Sequence, residues 1–215
     1  MDKLCSISSL TMRKILNVKS SKIEENEYNF FANDEKILTA KESSSSGQRQ
    51  FFSSAREFDA DFVDANGDKI FSIHRPRKIV GMEKVEVRDV DGKTIGTVEQ
   101  KMGLSRKFDL VDSRDKTLAR ATGFSQPKLD FKSKEDHTFE IKCGDKELGS
   151  ITRIYTKREK KATFITETFD INFDESSNGD FRALVLALAV VIDFVCYEKR
   201  DHNNPAGALA GAGVV

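Results

Sequence analysis

One segment constrains this chain more than any other: Phe181 to Tyr197, FRALVLALAVVIDFVCY, which is apolar on every face and follows a long stretch of polar, strand-like sequence. A helix of that kind must be surrounded, either by lipid or by protein. About 17 residues at 1.5 Å each reach roughly 25 Å, short of a hydrocarbon core of about 30 Å. Arg182 opens the run and Asp193 lies near its end, so only Ala183 to Ile192 is free of charge, which suits a core helix better than a span. If the N-terminal part were cytoplasmic, Lys199 and Arg200 would also sit on the wrong side for the positive-inside bias. Insertion and burial are both readings of Phe181, Leu184, Leu188, Ile192 and Asp193, and the charges favour burial inside a sheet.

The sheet itself is legible as alternation. Phe58-Asp59-Ala60-Asp61-Phe62, Phe71-Ser72-Ile73-His74, Val85-Glu86-Val87-Arg88, Phe108-Asp109-Leu110-Val111 and Phe139-Glu140-Ile141-Lys142 each turn one apolar face inward at period two. Asn66-Gly67 and Asp91-Gly92 are dipeptides that tolerate positive φ at both central positions of a tight turn. Asn33-Asp34, Ser113-Arg114-Asp115 and Gly144-Asp145 are looser versions. About eleven or twelve strands result, and a sheet of that size avoids exposed edges by closing on itself. The expected fold is therefore mainly β: a closed antiparallel barrel of about twelve strands enclosing the apolar C-terminal helix. Residues 1–20 are expected to form a loose N-terminal segment. Residues 21–200 form the barrel domain with its central helix at 181–197, Ser43 to Gly47 a flexible hairpin tip, and the Gly/Ala-rich residues 201–215 a disordered tail.

Thirty-five basic and 35 acidic residues cancel, so no global field draws the chain to nucleic acid or to anionic lipid. Any such attraction is local. The run Lys157, Arg158, Lys160, Lys161 is the candidate for contacts with lipid headgroups, and such a run also serves as a nuclear signal. Cys5, Cys143 and Cys196 have no ligand spacing, and the N-terminus has no signal-peptide pattern, which together indicate reduced thiols in the cytosol. Cys5 is placed for lipidation, although one acyl chain anchors only marginally. His74, His137 and His202 have no metal spacing, and no Ser/His/Asp, nucleotide-loop or zinc signature is present, so nothing indicates a catalytic site.

Several segments, in order, resemble the phospholipid scramblase family, within the tubby-C-terminal-like and LURP-one-like group of twelve-stranded barrels enclosing a C-terminal helix. They are Ile70 to Pro76 (IFSIHRP), Thr94 to Gln100 (TIGTVEQ), Lys107 to Leu110, Phe139 to Lys142, Leu148 to Ile151, Phe169 to Phe173, and Val191 to Glu198 (VIDFVCYE). The last is similar to the family's Leu-Ile-Asp-Phe-Met-x-Phe-Glu ending. The resemblance implies calcium-activated, ATP-independent, bidirectional movement of phospholipids between leaflets at the cytoplasmic face of the plasma membrane. A barrel in the cytosol or the nucleus that binds headgroups or protein partners without transport is the alternative. Oligomerisation is compatible with either. The chain departs from the family at Arg77 to Val80, where a cysteine run would stand, and at Asp174 to Asp180, which replaces a Pro-Leu-Asp element.

That replacement is the best chemical motif in the chain. Asp174, Ser176, Asn178 and Asp180 alternate around Gly179 in the sixth place, as in the first half of a calcium loop. The twelfth position is Val185 rather than a bidentate glutamate, so the pattern reads first as a helix cap by Asn178 or Asp180. Asp170, Asp174, Glu175 and Asp180 remain the candidate Ca2+ ligands. Asp193, ionisable within an apolar helix, calls for buried partners: it is expected to accept hydrogen bonds or an arginine near the rim, fixing the helix register.

Overall fold

The computed structural model describes residues 2–19, 22–42, 57–76, 82–125, 135–155 and 165–197. A one-turn helix α1 (Asp2–Cys5) precedes twelve strands: β1 (Ser9–Lys19), β2 (Lys22–Ala32), β3 (Glu35–Glu42), β4 (Phe58–Asp64), β5 (Lys69–Arg75), β6 (Lys84–Arg88), β7 (Thr94–Lys101), β8 (Ser105–Asp112), β9 (Thr117–Ser125), β10 (His137–Cys143), β11 (Lys146–Ile154) and β12 (Ile165–Phe173). Helix α2 (Gly179–Ile192) follows and continues as a π-helical turn, Asp193–Tyr197. Each strand pairs antiparallel with its neighbours in chain order, and β12 pairs with β1 to close the barrel.

The closing strand corrects one expectation. Residues 1–20 were expected to be loose, yet β1 lies among them and pairs with both β12 and β2. Leu10 and Met12 are buried at the first two inward positions, and the third is Lys14, 1% exposed. A cation at an inward position interrupts the apolar alternation that marks a strand in sequence.

The turns also differ from expectation. Asn33 and Asp34 have φ of 48° and 64° and form the tight two-residue connection between Ala32 and Glu35. At Asn66-Gly67 and Asp91-Gly92 only the glycines have positive φ. There the preceding aspartate organises a longer loop: Asp64 Oδ1 accepts from the amides of Asn66 and Asp68, and Asp89 Oδ1 from those of Asp91 and Lys93. Asp112 repeats the device with Arg114 and Lys116, whose amides hold its carboxyl below the usual range.

Helix α2 occupies the barrel axis, and every residue from Phe181 to Ile192 is buried. The wall supplies large rings, including Phe30, Phe62, Phe71, Phe108, Phe139 and Phe169, all fully buried. Among its larger aliphatics the helix carries Ala183, Ala187 and Ala189, which keep it slim enough to be enclosed. Gly96 on β7 sets the closest approach. A Cβ there would lie 2.2 Å from the Val111 carbonyl oxygen and 3.2 Å from Leu184 Cδ2.

Because the strands follow chain order, the connections alternate between two ends. One end holds the turns after β2, β4, β6, β8 and β10, the exit from β12 and the start of α2. The other holds the connections after β1, β3, β5, β7, β9 and β11. Phe194 from the π turn reaches this second end, packing on Phe58 at the start of β4 with ring centroids 5.4 Å apart.

Candidate functional site

At the first end, Asp174 to Asp180 turns the chain from β12 into α2. Asp174 Oδ1 accepts from the Ser176 amide at 2.9 Å and from the Ser176 hydroxyl, which holds its carboxyl below the usual range. Asn178 Oδ1 accepts from the Phe181 amide at 2.9 Å, so Asn178 is the N-cap of α2, and Asp180 lies in the first turn, where it complements the helix dipole. Asp170 is on β12, takes a hydrogen bond from Thr11 Oγ1 at 3.0 Å, and lines a polar cleft of about 340 Å³ with Asn33, Asp34 and Asn172. Glu175 is exposed. The structure does not bring Asp170, Asp174, Glu175 and Asp180 together as three or more converging ligands. They do not fit a preassembled calcium cradle, which needs six to eight oxygens around one point.

Arg182, next in sequence, was not singled out as a site. Its guanidinium is buried, donates through Nη1 to the carbonyls of Leu4 and Ile7 and through Nε to Ser177 Oγ at 2.8 Å, and lies 5.1 Å from the Phe173 ring centroid. It ties α1 to the start of α2. A charge at the head of an apolar run is the available signal; the Leu4 and Ile7 carbonyls, more than 170 positions away, are not legible in sequence.

Toward the other end of the helix the interior becomes ionic. Asp193 is fully buried, with Lys14 Nζ 2.8 Å from Oδ2 and the Tyr28 hydroxyl donating to the same oxygen at 2.9 Å. Tyr28 supplies the accepted hydrogen bond, and the cation is a lysine from β1 rather than an arginine. The inward position opposite Asp193 belongs to β1, which lies wholly within residues 1–20, the segment expected to be loose. Nearby, Arg153 Nε donates to Glu167 Oε2 and its guanidinium lies 4.7 Å from the Tyr197 ring centroid. Burial pushes the Glu167 carboxyl up, against the pull of Arg153. Tyr197 OH is 3.1 Å from His137 Nδ1.

Among the described residues, one group of three metal-competent side chains converges: Glu57, Asp59 and His74, with ligand atoms within 4.8 Å of one another. His74 Nδ1 is 2.8 Å from Asp59 Oδ1, because β4 and β5 pair these two residues directly. No sequence spacing marks this group; only register assembles it. Cys5 is exposed, as are Glu57 and Asp59. Lys157, Arg158, Lys160 and Lys161 lie outside the described residues, as do Ser43 to Gly47 and residues 201–215.

Phe181, Leu184, Leu188, Ile192 and Asp193 are all buried within the barrel. Among the described residues no helix is long and apolar enough to cross a membrane. What fixes the helix is a set of wall residues spread along the chain. Arg75, 1% exposed, donates to both carboxylate oxygens of Glu83 at 2.8 and 2.9 Å and lies 4.4 Å from the Phe194 ring centroid. With Gly96 against Leu184 and Lys14 against Asp193, it seats α2 at three levels.

The sequence pattern of the scramblase family matches residues 11–199, which covers the barrel from β1 through the π turn. The chain belongs to the scramblase family. It is similar to a phospholipid scramblase family protein of Schizosaccharomyces pombe (strain 972), with 27% identity covering 77% of this chain and 50% of the relative. The chain thus spans about half the length of this curated relative. No solved structure matches it. In this scramblase domain the segments that carry the family resemblance are those that hold the helix: Arg75 of IFSIHRP, Gly96 of TIGTVEQ, and Asp193 and Phe194 of VIDFVCYE.

Proposed function

We propose that this protein moves phospholipids in both directions between leaflets, without nucleotide hydrolysis and in response to calcium, at the cytoplasmic face of the plasma membrane. The observation that carries the reading is the family match across the whole closed barrel and its helix. The calcium response is taken from the resemblance. Asp170, Asp174, Glu175 and Asp180 are not gathered into a cradle, so no step is routed through the ion.

The packing supports a transfer in which α2 stays enclosed. Hydrocarbon would satisfy the seven buried Leu, Val and Ile side chains of α2, worth about 1.5–3 kcal/mol each, as well as the barrel does. It would not satisfy Arg182 or Asp193. Arg182 would leave the Leu4, Ile7 and Ser177 oxygens, and Asp193 would leave Lys14 and Tyr28. An uncompensated charge of this kind costs about 2.5–3.5 kcal/mol at mid-membrane even on insertion scales. The barrel's polar outer wall is then the surface available to headgroups, with membrane phospholipids as the partner.

The test is reconstitution of the full chain into liposomes with a trace headgroup-labelled phospholipid and a membrane-impermeant quencher. The expected result is loss of fluorescence beyond the outer-leaflet share, faster with calcium and unchanged by ATP. Vesicle-bound protein that quenches only the outer leaflet, with or without calcium, overturns the reading.

A further inference from the structure

We infer that the β7–β8 hairpin tip is a membrane anchor that sets the barrel, second end downward, on an anionic phospholipid bilayer. Among the described residues four large hydrophobic side chains are exposed: Met82, Val90, Met102 and Leu104. Met102 and Leu104, 83% and 84% exposed, project from the same three-residue tip between Lys101 and Ser105. Met82, 38% exposed, precedes β6 at the same end of the barrel. Single exposed apolar residues are ordinary on a protein surface; two fully presented on one hairpin tip mark a contact surface.

The charges around the tip choose the occupant. Lys101 and Lys107 are direct cross-strand partners on the outer wall, a like-charge pairing that a sheet ordinarily avoids. Lys101 is compensated by Glu99 at 2.7 Å and lies 3.7 Å from Asp109. Neither Lys107 nor Arg106 has an ion pair among the described residues, and Arg106 Nε, shielded from water, has no hydrogen-bond partner. Two apolar side chains flanked by unmatched cations fit an anionic lipid surface, with the chains entering between headgroups and the cations at headgroup level.

The opposite end excludes itself. Its turns carry Asp34, Asp64, Asp89, Asp112, Asp145 and Asp174, which an anionic surface repels. Val90, the remaining exposed hydrophobe, stands there between Asp89 and Asp91. Among the described residues the paired apolar tip is confined to the end where α2 terminates, and that is the end that docks.

This inference rests on the proposed function for its partner, a phospholipid bilayer, and names the surface that meets it. The test is co-sedimentation of the full chain with phosphatidylcholine vesicles, with and without phosphatidylserine, at low and high salt. Three proteins are compared: the native chain, Met102→Asp with Leu104→Asp, and Val90→Asp as a control at the acidic end. Thermal unfolding of each establishes that the barrel is intact, and Met102→Ser with Leu104→Ser provides a milder second variant. The native chain is expected to sediment with the phosphatidylserine vesicles and to be released by salt. The aspartate pair should lose tenfold or more in partitioning, the serine pair less, and Val90→Asp nothing. Equal binding by the native chain and the folded aspartate pair, or no binding of the native chain to phosphatidylserine vesicles, overturns the anchor. A native chain that binds through the tip but moves no lipid in the quenching assay overturns the proposed function and leaves the anchor standing.

Discussion

Lys14 and Asp193 meet at 2.8 Å inside the barrel, on β1 and at the end of α2, and neither is more than 1% exposed. One ion pair thus joins the closing strand to the enclosed helix. Removing one partner leaves a buried charge uncompensated, so Lys14→Met or Asp193→Asn is expected to cost about 3–5 kcal/mol in urea unfolding. The double variant Lys14→Met with Asp193→Leu should recover most of that loss, because two apolar side chains need no mutual compensation. Recovery of less than half would show that the pair contributes more than charge balance.

Gly96 and Gly149 allow backbones to approach where any side chain would collide. A Cβ at Gly149 would lie 2.3 Å from the Asn172 carbonyl oxygen, and its φ of 148° is one that other residues rarely adopt. Gly96→Ala and Gly149→Ala should each lower stability by about 2–4 kcal/mol in denaturant melts. Gly67→Ala, with open space around it and a strain limited to φ of 88°, should cost about 1 kcal/mol.

Arg182 holds the N-terminal segment across the start of α2 through the Leu4 and Ile7 carbonyls. Arg182→Met is expected to cost about 2–4 kcal/mol and to expose residues 2–8 to limited digestion by thermolysin, with the strands still protected. Arg182→Lys should restore little, since an ammonium cannot span the carbonyls and Ser177 as the planar fork does.

Glu99 accepts hydrogen bonds from Lys101 and Lys84, which hold its carboxyl down at about 2. A carboxylate whose folded pKa lies below its unfolded value of about 4.3 stabilises the fold above that value, and the contribution is lost as pH falls toward 2. Solvent screening at the sheet surface limits the effect to about 1 kcal/mol. Glu99→Gln should therefore lower stability at neutral pH by about that amount and flatten its dependence between pH 4.5 and 2, measured by urea unfolding across that range.

The sequence alone determined the class of fold: period-two alternation made the strands, their number demanded closure, and an all-apolar helix had to lie inside. It also carried the family, through short motifs whose order survives in one dimension. It did not reveal β1, because Lys14 breaks the alternation there, nor the Asp64, Asp89 and Asp112 loops, whose geometry is set by side chain to backbone bonds rather than by the dipeptide at the tip. Tertiary structure decided everything that depends on pairing across the barrel. Asp193 finds Lys14, Arg182 finds Leu4 and Ile7, and Glu57, Asp59 and His74 converge only once β4 and β5 are in register. The same closure sorts alternate connections to opposite ends, so Met102 and Leu104 stand at one end and Asp64, Asp89 and Asp112 at the other. The physical reason is locality: alternation and turn chemistry act over a few residues, whereas charge compensation and polarity arise among groups that only the closed sheet brings within reach.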